Sequence, residues 1–409
     1  MIREQLKEAK KACRFMQNVK PEVKNKALKN ISEALIQKSE LIIQENQKDI
    51  AEAKNNGIKE SMVDRLLLNK ERIEAMAKDI LKVIDLQDPI GTLVREIKRP
   101  NGLVIQQIRI PLGVIGVIYE SRPNVTVDIA SLCIKTNNVC VLKGGKEAIH
   151  SNRILVQIIN EAIQDVLPTH TVTLIETKKR EETLDLIQAH DYVDVIIPRG
   201  SAGLIQYVVK NATVPVIETG AGICHLYVDQ DASLDMALEI AKNAKIQRPS
   251  VCNAIETILV HQKVSPEFLP KLQEIFKSVQ IYGDEKTRKI IDCLEATEKN
   301  YATEYDDYIC NIKVVDDIEE AIEHIYNYST KHSESIITEN KETAKYFMES
   351  LDSACVYHNA STRFSDGGQF GFGAEVGIST QKFHARGPLG LQEITSTKYM
   401  IYGNGQVRS

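Results

Sequence analysis

The sequence predicts two doubly wound α/β domains and a small β-hairpin flap, and three observations lead to this prediction. From Gly113 onward, short and nearly continuous apolar runs alternate with helical segments, as in parallel sheets buried on both faces. A second alternation of the same kind runs from Cys224 to Asn359. Ahead of both, two extended segments flank Asn101 and Gly102, a pair typical of a two-residue type I′ hairpin turn.

The first 80 residues carry apolar side chains at helical spacing within a charged background. Ile31, Ala34, Leu35 and Ile42 are an example. This pattern predicts surface helices that cover a core.

The first alternation predicts a parallel sheet of nucleotide-binding type in outline. Its strands are the runs "GVIGVIYE", "VCVLK", "TVTLIET", "DVIIPRG" and "VPVIET", and its helices include "KEAIHSNRILVQIINEAIQDV". No G-x-G-x-x-G fingerprint follows any of these strands, so a classical dinucleotide loop is not predicted.

The second alternation predicts a second α/β domain, with Cys252 near its start. Its strands are "CHLYVD", "ETILVH", "VQIYGD", "YICNIKVVD", "ESIITEN" and "ACVYHN". Helices near 232–245, 266–277, 317–329 and 341–351 separate most of them.

Composition excludes several classes of protein. The 409 residues carry a net charge of -5 and are 43% hydrophobic, which argues against a nucleic-acid partner and against disorder. The eight cysteines form no C-x-x-C pair and no zinc-binding spacing, so we expect reduced thiols and no metal. The charged N-terminus and the short apolar runs predict neither a signal peptide nor a membrane span, and we expect a cytoplasmic protein.

The stretch "QRPSVCNAIET" places a single cysteine, Cys252, in a polar turn. Most unpaired cysteines are buried and inert, and the alternative is a nucleophile. No histidine has a spacing that marks it as the partner of Cys252.

Two strand-to-helix loops are candidates for binding an anion. In "RGSAG", Gly200 allows close backbone approach and Ser201 can cap a helix and donate to a phosphate. In "VLKGGKEAIH", Lys143 and Lys146 follow a strand, where α/β sheets bind ligands. An ordinary turn and solvated surface lysines explain the same residues equally well.

Three polar side chains near strand ends are candidates for catalysis. Asn124 in "ESRPNVT" can donate to a developing oxyanion, or it is simply a turn residue. Glu218 in "VPVIETG" is suited to acid–base work or to capping a loop. Glu304, just before a strand, is by default a surface carboxylate.

Several stretches together resemble the aldehyde dehydrogenase superfamily, and most closely its acyl-phosphate-reducing branch, the gamma-glutamyl phosphate reductases of proline biosynthesis. They are "GVIGVIYESRPNVT", "VPVIETGAGICHLYVD", "QRPSVCNAIET" and "FGFGAEVGISTQKFHARGPLGLQEITSTKYMIYGNG". The resemblance extends over nearly the whole chain.

The resemblance implies a catalytic set of Cys252 as nucleophile, Asn124 as oxyanion donor and Glu218. Glu218 lies 34 residues before Cys252, which is the family's separation between its glutamate and its nucleophile. Two more residues separate Gly113 from Asn124 than in typical aldehyde dehydrogenases. Glu218 either transfers a proton or has a positional role in the site.

The resemblance also implies a cofactor-binding set. Glu304 corresponds to the glutamate that holds the nicotinamide-side ribose, and Lys143 to the lysine at the adenosine ribose. Lys146 stands where NAD-preferring members often carry a glutamate. A lysine at this position favours NADPH, because its positive charge attracts the 2′-phosphate. Gly200, Ser201 and Gly220 complete this set, and Arg122, Arg248 and Arg363 are the predicted substrate-binding cations.

The implied reaction is the NADPH-dependent reduction of L-glutamyl 5-phosphate to L-glutamate 5-semialdehyde through a Cys252 thioester. The implied partners are glutamate 5-kinase, which makes this labile substrate, and further copies of the chain in a dimer or higher even oligomer. The implied domains are a cofactor domain at 1–94 and 110–224, a catalytic domain at 225–375 and an oligomerisation flap at 95–109 and 391–409.

Two other functions remain open from the sequence. One is an NAD(P)-dependent semialdehyde dehydrogenase of the same superfamily with another substrate. The other is a cysteine hydrolase or acyltransferase that binds no nucleotide.

Overall fold

The computed structural model describes residues 2–58, 60–177 and 181–408, without the side chains of Ser61 and Glu181. The chain divides into two compact units. The first comprises 1–219, 371–377 and 389–409, and the second comprises 220–370 and 378–388. The domain boundaries inferred from the sequence stay a prediction.

The elements alternate between helix and strand over most of the chain. The first part contains α1 (Ile2–Met16), α2 (Pro21–Gln37), α3 (Ser39–Asn55), α4 (Glu60–Leu66), α5 (Lys70–Asp85), β1 (Leu93–Lys98), β2 (Val104–Pro111), β3 (Val114–Tyr119), α6 (Asn124–Lys135), β4 (Val139–Gly144), α7 (Ile149–Ile163), β5 (Val172–Leu174), α8 (Glu181–Ile187), β6 (Val195–Arg199) and α9 (Ala202–Asn211). The second part contains β7 (Cys224–Val228), α10 (Leu234–Ile246), β8 (Ile255–His261), α11 (Ser265–Ile275), β9 (Gln280–Gly283), α12 (Glu285–Arg288), β10 (Leu294–Glu295), α13 (Glu298–Tyr301), β11 (Ile309–Val315), α14 (Ile318–Tyr328), β12 (Ser333–Ile337), α15 (Lys341–Ser350), β13 (Cys355–His358), β14 (Ile378–Ser379), β15 (Gly387–Pro388) and β16 (Thr395–Tyr402). Short 3₁₀ helices cover Lys146–Ala148 and Thr362–Phe364.

The first unit contains a parallel sheet with the strand order β5-β4-β3-β6. Every residue of β3 is buried, because helices cover both faces of a parallel sheet. The predicted strand at "VPVIET" is wrong: the structure has isolated bridge residues there instead of a strand, and one of them, Val216, is paired with Ile196. Pro215 lacks a backbone N–H and therefore interrupts the ladder at this point.

The second unit contains a seven-stranded parallel sheet with the order β10-β9-β11-β8-β7-β12-β13. Successive residues of its strands point to opposite faces and enter two separate apolar cores. Leu226 and Ile258 pack on the side that contains Phe268 of α11. Tyr227 packs on the other side, with Phe347 of α15. The doubly wound α/β prediction is confirmed for both alternations.

A three-stranded antiparallel sheet, with the order β1-β2-β16, forms the flap of the first unit. The predicted hairpin is confirmed. The predicted two-residue type I′ turn is wrong, because such a turn needs a positive φ at both central residues, and of Asn101 and Gly102 only Gly102 has one, at 88°. The N–H of Gly102 donates to the carbonyl of Arg99 at 2.9 Å. Pro100 fixes a negative φ at the second turn position, so the chain takes a type I turn closed by glycine.

No helix in the described part of the chain has both the length and the apolar character that a bilayer span requires.

Candidate active site

Cys252 lies in the turn that joins α10 to β8 in the second unit. The turn is closed by the N–H of Ala254, which donates to the carbonyl of Val251 at 2.9 Å. Cys252 is half-buried, whereas Cys224, Cys310 and Cys355 of the same unit are buried. The structure therefore sets Cys252 apart from the core cysteines by its exposure.

A glycine packs against the backbone that carries this cysteine. A Cβ atom at Gly222 would lie 1.5 Å from the carbonyl oxygen of Cys252 and 2.7 Å from its Cα. No side chain fits such a gap, so only glycine allows the two backbones to approach this closely. The N–H of Gly222 donates to Oε1 of Glu304 at 2.7 Å, which holds the glycine loop in place.

Gly220, a predicted cofactor-binding residue, begins the same loop. A Cβ atom there would lie 2.8 Å from Oγ1 of Thr380. Within the second unit the structure thus brings Glu304 and the 220–222 loop together with Cys252, as a support for its backbone. The predicted contacts of Glu304 and Gly220 with a cofactor stay predictions.

Arg363 forms a bracket around the turn that carries Cys252. Its Nε donates to Oε1 of Gln247 at 3.0 Å, and its Nη1 donates to Oδ1 of Asn253. Asn253 is buried, and its Nδ2 donates to the carbonyl of Ser365 at 2.9 Å. The two residues that Arg363 ties together lie on either side of Cys252 in the sequence.

The arginines proposed for substrate recognition differ in their surroundings. Burial lowers the pKa of Arg363, and the positive charge of Arg248 lowers it further, so these two guanidinium groups lie close enough to interact. Arg248 is exposed, whereas Arg122 is half-buried in the first unit, immediately before α6. Sequence reasoning missed the bracket because Gln247 and Asn253 have no motif that marks them.

A buried ion pair lies next to the turn that carries Cys252, and the sequence analysis did not predict it. Nζ of Lys245 and Oε2 of Glu256 are 2.8 Å apart, and both side chains are fully buried. Burial raises the pKa of Glu256, and the positive charge of Lys245 opposes that increase. Breaking such a pair by removing one partner leaves an uncompensated buried charge.

Asn124, the predicted oxyanion donor, is the first residue of α6 in the first unit. Its Nδ2 donates to Oδ2 of Asp128, one helical turn further on, at 2.9 Å. Burial raises the pKa of Asp128 to about 7, although the hydrogen bond from Asn124 opposes the increase. The amide of Asn124 is thus oriented by a carboxyl group whose charge changes near neutral pH.

Replacing Asp128 with asparagine is expected to change how stability depends on pH. An aspartate titrates near pH 4 in the unfolded chain, whereas the pKa of Asp128 in the folded chain is raised. The contribution of Asp128 to stability is therefore fully present below pH 4, where the carboxyl is protonated in both states, and is lost as pH rises to 7. Asp128→Asn should therefore gain stability relative to the parent between pH 5 and 8, by a few kcal/mol at most. Denaturant unfolding at several pH values measures this gain. The exposed Asp165→Asn is the control, and equal pH dependence in parent and Asp128→Asn would contradict the expectation.

The predicted phosphate loop of the first unit already holds a carboxylate. The N–H and Oγ of Ser201 each donate to Oε2 of Glu120 at 3.0 Å. A Cβ atom at Gly200 would lie 2.6 Å from the same Oε2. An anion is therefore stabilised at the N-terminus of α9, as the sequence predicts for phosphate, but here the anion is a side chain of the chain itself.

Of the two predicted lysines, Lys143 lies within β4, one residue before the end of the strand, and Lys146 follows that strand. Burial lowers the pKa of Lys143, and Glu147 and Glu120 oppose that decrease. Lys146 is exposed at the start of the 3₁₀ turn. Nearby, Nε of Arg199 and Nδ2 of Asn152 are buried without a hydrogen-bond partner within the described chain. These unsatisfied donors fit a ligand with phosphate or ribose oxygens.

Glu218 follows the bridge residue Val216 in an extended segment of the first unit, and it is half-buried. The next residue, Thr219, donates from its Oγ1 to the carbonyl of Pro198 at the end of β6. Glu218 therefore lies along the edge of the sheet that contains β3 and β6. Its catalytic role stays a prediction.

Comparison with known proteins agrees with these observations. Residues 1–291 match the model of the aldehyde dehydrogenase family. The gamma-glutamyl phosphate reductase of Halothermothrix orenii is 52% identical over 99% of this chain and 98% of its own. That of Petrotoga mobilis is 54% identical over 98% of this chain and 97% of its own.

Solved structures give the same result. The crystal structure of gamma-glutamyl phosphate reductase from Thermotoga maritima superposes with a TM-score of 0.97 at 48% identity, covering 99% of both chains. An acetylating aldehyde dehydrogenase from Geobacillus thermoglucosidasius shares the fold at 16% identity, with a TM-score of 0.74 over 100% of this chain and 97% of its own. The chain belongs to the aldehyde dehydrogenase family, and within it to the gamma-glutamyl phosphate reductases.

Proposed function

We propose that the chain reduces L-glutamyl 5-phosphate to L-glutamate 5-semialdehyde with NADPH and releases phosphate, the second step of proline biosynthesis from glutamate. Support comes from relatives about half identical over the whole chain that are named for this reaction. The alternative of a semialdehyde dehydrogenase with another substrate has no comparable support.

The observation that carries this proposal is the construction of the Cys252 turn. Gly222 supports the turn from one side, and the Arg363 bracket fixes the residues that flank the cysteine. A half-buried thiol on a backbone held in this way is suited to attack a bound substrate, because the reacting sulfur has little freedom to lose.

The chemistry begins at the sulfur of Cys252. Its thiolate attacks the acyl carbon, a C–S bond forms, the C–O bond to phosphate breaks, and phosphate leaves with the electron pair. The resulting thioester is more easily reduced than a carboxylate. A bound reduced nicotinamide supplies hydride to the thioester carbon. The C–S bond then breaks, the aldehyde is released, and Cys252 recovers its thiolate.

The other proposed catalytic residues act on the oxygen and on protons. Asn124 Nδ2 and the backbone N–H of Cys252 would donate to the oxyanion at each tetrahedral stage. Hydrolysis of the thioester would waste the substrate, so a water-activating role for Glu218 is unsuitable in this reaction. We assign Glu218 either proton transfer or a positional role.

A nicotinamide cofactor goes with membership of this family, and we propose NADPH specifically. The residues assigned to it are Lys143, Lys146, Gly200, Ser201, Gly220 and Glu304. The donors of Ser201 are engaged by Glu120, so a phosphate that uses them has to displace this carboxylate. Arg122, Arg248 and Arg363 are proposed to recognise the carboxylate and phosphate of the substrate, with Arg363 also bracing the turn.

Replacing Lys146 with glutamate is expected to weaken NADPH binding about tenfold or more and to leave NADH binding nearly unchanged. The reason is that a carboxylate repels the 2′-phosphate that distinguishes the two cofactors. Fluorescence titration of each cofactor measures both dissociation constants. Lys26→Glu, an exposed charge reversal on α2, controls for the change in net charge. Equal weakening of both cofactors would contradict the assignment.

The proposed reaction is tested most directly in reverse. Glutamate 5-semialdehyde, NADP⁺ and phosphate are mixed with the chain, and formation of NADPH is followed by absorbance. We expect NADPH formation to require phosphate and to be slower with NAD⁺. Turnover that is independent of phosphate would favour an aldehyde dehydrogenase that uses water, and an absence of NADPH binding would favour a cysteine hydrolase.

We further propose that the chain forms a dimer or higher even oligomer through the flap, and that it associates with glutamate 5-kinase. At the flap edge, Tyr399 and Ile401 of β16 are exposed apolar side chains on an edge strand, which favours pairing with another chain. Light scattering that gives a monomer mass would contradict the first proposal. A pull-down that recovers no kinase would contradict the second.

A further inference from the structure

A second cysteine lies directly behind the nucleophile turn, and the reaction above does not use it. Cys224 is fully buried at the start of β7. Its Sγ lies 3.2 Å from the carbonyl oxygen of Cys252, within reach of an S–H···O hydrogen bond. Gly222, two residues earlier, packs against the same carbonyl group. One short segment therefore contacts the nucleophile's peptide through both its backbone and a side chain.

The surroundings of Cys224 keep its sulfur protonated. Burial raises its pKa well above the ordinary value for a thiol, and the negative charge of Glu334 raises it further. A thiolate cannot donate a hydrogen bond, whereas a thiol can. Cys224 is thus a permanent donor toward the Cys252 carbonyl over the whole working pH range, and it cannot replace Cys252 as nucleophile.

The other side of the Cys224 sulfur faces a neutral histidine. Nδ1 of His332 lies 3.7 Å from Sγ of Cys224 and 2.9 Å from Oγ of Ser333. Burial lowers the pKa of His332 to about 4, so its ring is uncharged at neutral pH. This imidazole supplies no charge to ionise Cys224, and it limits where the sulfur can move.

The buried polar contacts continue from His332 back to the nucleophile turn. Oγ of Ser333 is hydrogen-bonded to Oγ of Ser365, which also contacts the hydroxyl of Tyr357 at 2.8 Å. The carbonyl of Ser365 accepts the 2.9 Å bond from Nδ2 of Asn253. Two successive residues, Cys252 and Asn253, are therefore anchored by one set of buried groups.

We propose that Cys224 is a positioning residue for Cys252. Its thiol holds the Cys252 carbonyl and thereby fixes the backbone of Cys252, the residue that carries the nucleophilic sulfur. This inference rests on the proposed function, in which Cys252 is the nucleophile. A hydrogen bond of this kind is individually weak, so its removal is expected to misplace the sulfur more than it unfolds the chain.

Two isosteric pairs of variants separate the hydrogen bond from packing. Cys224→Ala and Cys224→Val remove the donor, whereas Cys224→Ser and Cys224→Thr keep one at nearly the same volume. We expect the donor-free variants to lose about tenfold in kcat with KM changed less than about twofold. The donor-bearing variants, Cys224→Ser and Cys224→Thr, should retain most of the kcat of the parent. The Ala/Ser pair leaves space and the Val/Thr pair fills it, so a failure of one pair to fold leaves the other available.

A second measurement follows the reactivity of the Cys252 thiol and does not require the complete reaction. The rate at which iodoacetamide alkylates Cys252, followed by mass spectrometry of its peptide across pH, should change in Cys224→Ala and be restored in Cys224→Ser. Cys310→Ala is the control, since Cys310 is an equally buried cysteine in β11. It should lose comparable stability and leave both kcat and the alkylation profile unchanged.

Three results would overturn the proposal. The first is a folded Cys224→Ala with the kcat and the alkylation profile of the parent. The second is a loss of kcat in Cys224→Ser as large as that in Cys224→Ala. The third is a loss of kcat in Cys310→Ala as large as that in Cys224→Ala. A parent chain that reduces no acyl phosphate would instead contradict the proposed function. In that case the alkylation profile still decides whether Cys224 positions Cys252.

Discussion

Replacing Cys252 with alanine is expected to lower kcat for acyl-phosphate reduction by at least about 10⁴-fold, because no covalent intermediate can then form. Cys252→Ser should be nearly as inactive, since a serine hydroxyl without an adjacent base is a far weaker nucleophile than a thiolate. Both variants should fold and bind NADPH like the parent, because the side chain is half-buried and small.

The reverse assay with NADP⁺ and phosphate measures this loss, and mass spectrometry after substrate addition detects the acyl group on Cys252. Cys293→Ser is the matched control, because Cys293 is also half-buried and lies in the same unit. It should retain full turnover. Significant turnover in Cys252→Ser would show that this sulfur is not the nucleophile.

Adding a single methyl group at Gly222 is the second change with a large expected effect. In Gly222→Ala the new Cβ would lie 1.5 Å from the Cys252 carbonyl oxygen, and the obstacle is backbone rather than a side chain that can rotate. The turn that carries Cys252 has to move, and a displacement of about 1 Å at a reacting group costs about 100-fold in rate. We therefore expect kcat to fall by about two orders of magnitude.

Thermal unfolding should accompany these rate measurements, because overpacking also costs about 1–3 kcal/mol of stability. Gly368→Ala is the control in the same unit, where the new Cβ would meet only the carboxylate oxygen of Asp366, at 3.0 Å. That oxygen belongs to a side chain that can rotate. If Gly222→Ala turned over like Gly368→Ala, the tight contact with the nucleophile turn would not matter for function.

The strands and the long helices could be predicted from the sequence because their physical signal is local. Runs such as "VCVLK" and "ETILVH" became β4 and β8, and the helix predicted at 317–329 became α14 at Ile318–Tyr328. Failures came where one proline changed the backbone. Pro100 replaced the expected hairpin turn by a type I turn, and Pro215 reduced an expected strand to a bridge.

The candidate site was predictable only in part. A thiol in a polar turn and a glutamate 34 residues earlier are visible in the sequence, but the groups that hold the turn are distant from it. Arg363 is bound to Asn253, 110 positions away, and Cys224 reaches the Cys252 carbonyl over 28 positions. Such contacts follow from the tertiary fold and leave no periodicity or motif.

The first unit is discontinuous, and this affects how the chain is made. Its flap strand β2 is paired on one side by β16, which follows the whole second unit in the sequence and is therefore synthesised after it. Until then β1 and β2 form only a two-stranded hairpin, which is marginal in water. The nascent flap therefore exposes an open edge for most of synthesis, when chaperones or neighbouring nascent chains can bind it. A chain that terminates before Thr395 would keep that edge open permanently.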